Sequence, residues 1–593
     1  MVLRTNLKED TMKKLLAGLL VIALFVGMLP EAFLYAGDTN RANSNSVGKV
    51  RYYYKDSINN ASVMTEDYEE FEQSLTNTEE IDVVLEMSYS FDGCICRELI
   101  NKSSTKEEID DIRNIHREEI KEFYFTQNSN FVEENNILCD DMEYNLVVCQ
   151  YAPYIVIEFS EVAEFNSCSA QIIDLAEHGD IEGIDICVPI TLESSTVPTV
   201  SINNAPEYPL SEAILDVAAA SQTYDGEGVS VGIIEAKGVA YNRNHSDFDN
   251  LTIRTIGHAM DDPHAIMVTR ILCGSAGVAP GVNEAFIYKA TTDTQLVGGL
   301  DWMVDNGVNI VNLSLASDIY RGEYLWLSAV LDCYVRDNYI TIVGAAGNHG
   351  ETARPLTNYI AMGYNVIAVG ALDANNNLSS YSSWADAGSA LSRKPTLSAP
   401  GTKIRLDNTT IDSGTSFSTP IVSGIVAKLM DEYPFLMMYP EVVMASLIVS
   451  ATPVNYQGNV WDSQTGAGRI NYTKARNAVG NCCTFSNRSD ITGVVDTDTI
   501  SVTPNNRIKV AAVWLTNSQT MNTGDAVIER NHTNYNLELW NNSGVLVSST
   551  DFSNIEYINF NNTNNNTLII KLRQLEAIVS GEEDIGAFTW IAE

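Results

Sequence analysis

The sequence predicts an α/β core on a mainly parallel sheet, with a smaller α+β unit before it and an all-β sandwich after it. Three observations carry this. Between about residues 211 and 480, apolar runs without alternation (Val229–Ile234, Val308–Leu315, Tyr339–Val343, Val366–Val369) are separated by helical stretches such as Gln295–Asn306. Strands buried on both faces lose the polar/apolar alternation, so the pattern calls for a sheet covered by helices on each side. Residues 81–190 read strand, helix, strand, strand, helix, strand, the split βαβ order of ferredoxin-like folds. After Cys483 the chain turns to short alternating strands over about 110 residues, the pattern of a sandwich.

The N-terminus indicates a compartment. Lys13 and Lys14 precede the apolar run Leu15–Leu29, then Pro30 and the small residues Ala32, Ala36 and Gly37. A basic start, a short apolar run and a small-residue exit describe a secretory signal peptide (residues 1–36) cut near Ala36, with Met12 as the alternative start. A retained anchor is the other reading of the same run. No later stretch reaches membrane-spanning length, so the chain is expected to be secreted and to leave the membrane once the signal is removed.

Residues 37–80 read as a polar N-terminal segment. The α+β unit over 81–190 is assigned strands Ile81–Met87, Leu146–Tyr151, Tyr154–Phe159 and Ile184–Val188, with helices from Thr105 to about Tyr124 and over Ala170–His178. Residues 191–210, with Pro198, Pro206 and Pro209 among Ser, Thr and Asn, read as a linker. The sandwich, 481–593, is assigned strands Ile508–Trp514, Leu537–Trp540, Leu568–Leu572 and Ala587–Ile591, and Asn561–Asn565 is a loop tip.

Composition narrows the partners. The 593 residues suggest three or four domains, and 45% hydrophobic content gives each a core. With 77 Asp and Glu against 36 Lys and Arg, the net charge of −41 excludes nucleic acid, whose phosphates need a basic face. The ten cysteines show no zinc-site spacing, and their pairing does not follow from sequence.

Gly414-Thr415-Ser416-Phe417-Ser418-Thr419-Pro420 is the strongest chemical signal. The apolar stripe Ile421, Val422, Ile425, Val426, Leu429, Met430 follows it, so Ser416 sits at a helix N-terminus. There its hydroxyl is exposed, its N–H faces an incoming oxyanion, and the helix dipole favours negative charge. Read alone, the same serine is an ordinary N-cap. Asn348 follows the buried run Val343-Gly344-Ala345-Ala346-Gly347, at a strand end where open α/β sheets place ligand groups. His264 opens the apolar segment Ala265–Leu272, and beside a serine it would act as general base and then acid.

Together with Asn312-Leu313-Ser314-Leu315 and Gly277-Val278-Ala279-Pro280, these motifs resemble the subtilisin-like serine peptidases, the subtilases, over about 211–480. The resemblance implies a subtilisin-like three-layer αβα fold and a serine endopeptidase acting on protein or peptide substrates. It implies Ser416 as nucleophile, His264 as base and Asn348 as oxyanion donor. Ser314, Leu315 and Ala316, with Ala345, Ala346 and Gly347, would line the substrate and S1 walls, and Asn358 lies near the implied floor. Ala316 stands where the family often has glycine, which narrows the pocket.

The family's acid is an Asp in Asp-Ser/Thr-Gly, and here the strand reads Ile233-Ile234-Glu235-Ala236-Lys237-Gly238. His245 and Asp247 match the turn that follows and keep Glu235 in register. Glu235 is therefore expected to replace the acid, with its charge retained and about 1.5 Å of added reach. The ferredoxin-like unit resembles subtilase propeptides, which implies an intramolecular inhibitor released by cleavage in 191–210. The resemblance requires no cofactor. Subtilases often bind calcium, but no ligands are assigned and no EF-hand spacing occurs. The rival expectation is a weak or inactive subtilase-like surface binding protein that kept the cleft.

Overall fold

Sheet hydrogen bonding in the computed structural model gives, among the described residues, a six-stranded sheet, a seven-stranded parallel sheet and two four-stranded antiparallel sheets, with two smaller ones. The structure describes residues 50–56, 61–65 and 80–593, apart from 90, 92–96, 98, 136, 138–143, 188–191, 193–204, 219–222, 241–245, 258–259, 318–321, 385–392, 455–460, 488–491, 517–519, 523–526, 530–532, 551–552 and 576–583. The leader, His245 and most of the linker lie outside the described residues.

The first sheet uses β1 (Val50–Asp56), β2 (Ala61–Thr65), β3 (Ile81–Met87), β4 (Tyr144–Val148), β5 (Tyr154–Phe159) and β6 (Ile181–Cys187) in the order β2-β1-β6-β3-β5-β4. Helix α1 (Lys106–Glu134) follows β3, and α2 (Val162–Asp174) follows β5. Residues 50–65, read from sequence as part of a polar segment, supply the two strands that extend this sheet beyond β6. Helix α1 starts on a Thr105/Glu108 capping box and buries Ile109, Ile112, Ile120, Tyr124 and Phe131 at helical spacing. It runs ten residues past the expected Tyr124 because polar Asn128 keeps the stripe going. Its Nδ2 donates to the carbonyls of Cys149 (2.8 Å) and Ala152 (3.0 Å). Helix α2 starts earlier than expected and ends at Asp174, followed by a 3₁₀ turn.

After α3 (Leu210–Ala218) comes the central sheet of β7 (Ser230–Glu235), β8 (Thr252–Thr255), β9 (Glu284–Lys289), β10 (Ile310–Leu313), β11 (Thr341–Ala345), β12 (Ile367–Leu372) and β13 (Leu397–Pro400). All seven are parallel, in the order β13-β12-β11-β10-β7-β9-β8. The order reverses about β7, and such a switch point opens a crevice at the strands' carboxyl ends. On one face pack α4 (Pro263–Cys273), α7 (Thr415–Glu432) and α8 (Pro440–Ser450), and on the other α5 (Asp293–Asp305) and α6 (Trp326–Asn338). Helix α9 (Tyr472–Gly480) completes the core.

The outer modules explain two helices without a solvated face. All residues of α6 are buried because Tyr124, Tyr151 and Tyr154 of the first unit join its core from the far side. All residues of α8 are buried because Ala511, Val513, Ala587 and Ile591 of the C-terminal part cover it. That part has β14 (Cys483–Asn487), β15 (Gly493–Ser501), β16 (Arg507–Leu515), β17 (Tyr535–Asn541), β18 (Gly544–Ser549), β19 (Ile555–Asn561), β20 (Thr567–Gln574) and β21 (Asp584–Ala592). They form two antiparallel sheets, β14-β21-β16-β19 and β15-β20-β17-β18, around one core that includes Trp514, Tyr535 and Phe588. Among the described residues no helix is long and apolar enough to cross a membrane.

Candidate active site

Glu235 is the last residue of β7, in the middle of the sheet, and its side chain is fully buried. His264 is the second residue of α4. Asp262 caps that helix, its Oδ2 accepting from the N–H groups of His264 (3.0 Å) and Ala265 (3.3 Å), and Pro263 takes the first helical position where no N–H is needed. The two elements bring Glu235 Oε2 to 2.8 Å from His264 Nδ1. The turn after Glu235 is tied to α4, since Arg270 Nε donates to Asp247 at 2.7 Å and its Nη2 to Asp407 at 2.9 Å.

Burial opposes charging His264, but the Glu235 carboxylate, its hydrogen bond, and the nearby Asp262 and Asp412 outweigh it and hold the imidazole pKa above its ordinary value. Burial raises the Glu235 pKa as well, with His264 offsetting part of the effect. The pair titrates as a unit.

Ser416 is the second residue of α7, after Gly414 at its N-cap. Its hydroxyl donates to the Ser314 carbonyl (3.2 Å), and the Ser314 hydroxyl donates back to the Ser416 carbonyl (2.9 Å). His264 Nε2 is buried and makes no hydrogen bond among the described residues. The Phe417 ring lies 5.5 Å from the imidazole, centroid to centroid. Behind Ser314, Asn312 Nδ2 donates to its Oγ (2.9 Å), and the Ser423 hydroxyl of α7 donates to Asn312 Oδ1 (2.9 Å). A chain of polar bonds therefore ties the serine-bearing helix to β10.

Asn348 follows β11. Its Oδ1 accepts from both the N–H and the hydroxyl of Thr415 (3.0 Å each), which sets the orientation of the amide. Gly347 has φ 107°, a left-handed value that suits glycine, and its N–H donates to Thr415 Oγ1 at 3.1 Å. The wall residues Ser314, Leu315, Ala316, Ala345, Ala346 and Gly347 are all buried. Asn358 ties the walls together: its Nδ2 donates to the Leu315 carbonyl (3.1 Å) and its N–H to the Ala346 carbonyl (2.8 Å).

Sequence reasoning missed four supporting residues. Asp262 and Pro263 were readable, because Asp-Pro before an apolar stripe is a helix-start signal. Thr415 and Ser423 carry no such signal, since their partners Asn348 and Asn312 lie 67 and 111 residues away. Among the described residues no group of three or more His, Cys, Asp or Glu is arranged to hold a metal ion. Cys149, Cys168, Cys187, Cys273, Cys333, Cys482 and Cys483 are free thiols.

An acid–imidazole pair at the end of β7 and the start of α4, and a serine at the N-terminus of α7, are the elements that a serine hydrolase uses. Residues 226–468 match the Subtilase family. The chain is 31% identical to subtilisin DY of Bacillus licheniformis over 237 residues, covering 36% of this chain and 81% of that protein. It is 30% identical to thermitase of Thermoactinomyces vulgaris over 220 residues, 36% of this chain and 71% of the relative. The prenylagaramide maturation protease PagA, a solved structure, shares 27% identity across 42% of this chain and 93% of its own, with a TM-score of 0.37. The chain belongs to the subtilase family and is a serine-type endopeptidase.

Proposed function

We propose that the protein is a secreted endopeptidase made as a zymogen, in which Ser416, His264 and Glu235 form the triad. The observation that carries the reading is the 2.8 Å contact from Glu235 Oε2 to His264 Nδ1, which leaves Nε2 as the atom for the serine proton. In this reading Glu235 fixes the tautomer and stabilises the imidazolium. Substrate binding draws the Ser416 hydroxyl from the Ser314 carbonyl to Nε2, and the oxygen attacks the peptide carbonyl. The Ser416 N–H and Asn348 Nδ2 hold the oxyanion, and His264 returns the proton to the leaving amine. Ser314–Ala316 and Ala345–Gly347 hold the substrate on either side of the scissile bond.

The first unit, over 81–190, acts in this reading as a propeptide and inhibitor that is cut within 191–210. Its helix-covering position suits that role, because a parallel sheet folds slowly and gains from a template. The C-terminal sheets act as a stabilising module that covers α8. A fluorophosphonate probe tests the proposal: it labels the matured protein and not Ser416→Ala. An unlabelled matured protein overturns it.

One observation favours a second reading, a cleft that binds without hydrolysing. The Ser416 hydroxyl is engaged by Ser314 and not by His264. Labelling at Ser416 decides between the two.

A further inference from the structure

Away from the crevice, the first unit places one arginine into the core domain. Arg97 is nearly buried and its guanidinium lies between two tyrosine faces, 4.9 Å from the centroid of Tyr339 and 4.1 Å from that of Tyr439. Its Nη2 donates to Glu441 Oε1, in the first turn of α8, and that carboxylate is completely buried. Tyr439 Oη donates to the Arg97 carbonyl (3.1 Å) and lies 3.3 Å from the Ile100 carbonyl, so the socket also reads backbone. His116 of α1 stacks on Tyr339 at 4.8 Å, and Phe435 packs edge-on against Tyr439 at 5.7 Å. The result is a continuous stack with one cation at its centre. Lys102 of the same loop donates to the Cys482 carbonyl at 2.9 Å beyond α9.

We propose that Tyr339, Tyr439 and Glu441 form an arginine-recognition socket on the core domain, and that Arg97 in this socket locks the first unit in place. The ligand class is a guanidinium carried on a peptide with carbonyl groups beside it. The physical basis is selectivity. A planar guanidinium stacks between two rings and meets a carboxylate at its edge, whereas an ammonium is a compact, strongly hydrated point charge that fits neither need. Glu441 adds the drive to fill the site, because burial raises its pKa and the guanidinium, with a backbone hydrogen bond, offsets the loss of water. The proposal does not depend on hydrolysis.

The test uses the full chain in a Ser416→Ala background, so that proteolysis plays no part. Arg97→Ala is expected to lower the melting temperature by about 5 °C or more, as loss of a buried ion-pair partner does. Millimolar N-ethylguanidinium is expected to recover at least half of that loss, ethylammonium none, and Arg97→Ala/Glu441→Gln is expected not to respond to either. If Arg97→Ala does not fold, Arg97→Lys carries the test and is expected to melt below the parent. Equal melting of Arg97→Lys and parent overturns the proposal, as does equal rescue by the two cations.

Discussion

Ser314 and Ser416, 102 residues apart, exchange hydrogen bonds: each hydroxyl donates to the other's carbonyl. The exchange locks the first turn of α7 against the end of β10, and Asn312 and Ser423 extend it inward. Ser314→Ala removes one of the two bonds and leaves the buried Asn312 amide short of an acceptor, at a cost of about 1–3 kcal/mol. Chemical denaturation is expected to report that loss. Ser423→Ala, which removes the far end of the chain, is expected to cost less, since it leaves one buried group, Asn312 Oδ1, short of a partner where Ser314→Ala leaves two, Asn312 Nδ2 and the Ser416 carbonyl.

The buried contact between Glu235 and His264 sets two substitutions apart. Glu235→Gln keeps the shape and removes the charge, and a carboxylate-to-amide change at this position of a triad lowers kcat by about 10⁴-fold. Glu235→Asp keeps the charge and withdraws the carboxylate by about 1.5 Å, and a displacement of that order costs about 10²-fold. Turnover of a chromogenic peptide should therefore rank wild type above Asp and Asp above Gln. Activity of Glu235→Gln at the wild-type level would remove Glu235 from the mechanism.

The raised pKa of His264 fixes the sign of the pH profile. The general base works as neutral imidazole, and Glu235, Asp262 and Asp412 favour the charged form despite burial. The folded pKa therefore lies above the ordinary value of 6.5, and kcat/KM is expected to rise with pH through an apparent pKa above 6.5. Asp412→Asn removes one of those charges and is expected to move the limb toward lower pH. A limb at or below 6.5 in the wild type would show that burial dominates.

The residues assigned to the proposed site stood out in the sequence because they break patterns. Ser416 interrupts the entry to an apolar stripe, Asn348 ends a buried run, and Glu235 is a charge at the end of Val231–Ile234. The parallel core was legible for the same reason, since its strands are continuous apolar runs. What escaped were residues whose meaning lies in distant partners. Helix α1 was expected to end near Tyr124 because polar Asn128, whose acceptors are carbonyls on another segment, gives no local sign of burial. β1 and β2 were hidden because edge strands of an added pair need little apolar alternation. The Arg97 socket joins positions more than 300 residues apart, a separation no local pattern records.

Asn358 bears on specificity. Its amide bridges Leu315, and its N–H reaches Ala346, across walls that are already buried. A slot held closed in this way fits a small P1 side chain. A peptide series varied at P1 is expected to favour Gly, Ala or Ser, and Asn358→Gly is expected to improve cleavage after Leu or Phe by about tenfold relative to Ala, as pocket volume of a few methylenes allows. An unchanged preference in Asn358→Gly would assign the restriction to Ala316 instead.

The junction between the first unit and the core should loosen as pH rises. Asp82 of β3 is pushed up to about 7 by burial and by Glu158 and Glu80, against a hydrogen bond from Thr294 of α5. Asp301 of α5 is likewise pushed up to about 7 by burial and Asp305, although Tyr334 and the Gln150 N–H, the latter from the first unit, donate to it and Lys121 lies near. Both groups hold protons in the folded protein that the unfolded chain, with ordinary carboxylates near 3.9, has already released. Between about pH 4 and 7 the native state binds more protons, so unfolding free energy falls as pH rises. The contribution is complete below about pH 4 and gone above about pH 7. His116, whose pKa burial lowers from 6.5 to about 4, works against this between about pH 4 and 6.5, where the unfolded chain binds a proton that the native state does not. In a Ser416→Ala chain, the melting temperature is therefore expected to drop from pH 5 to pH 8, and the drop should shrink in Asp82→Asn/Asp301→Asn, which no longer titrates. A double variant with the same slope as its parent would place the pH sensitivity elsewhere.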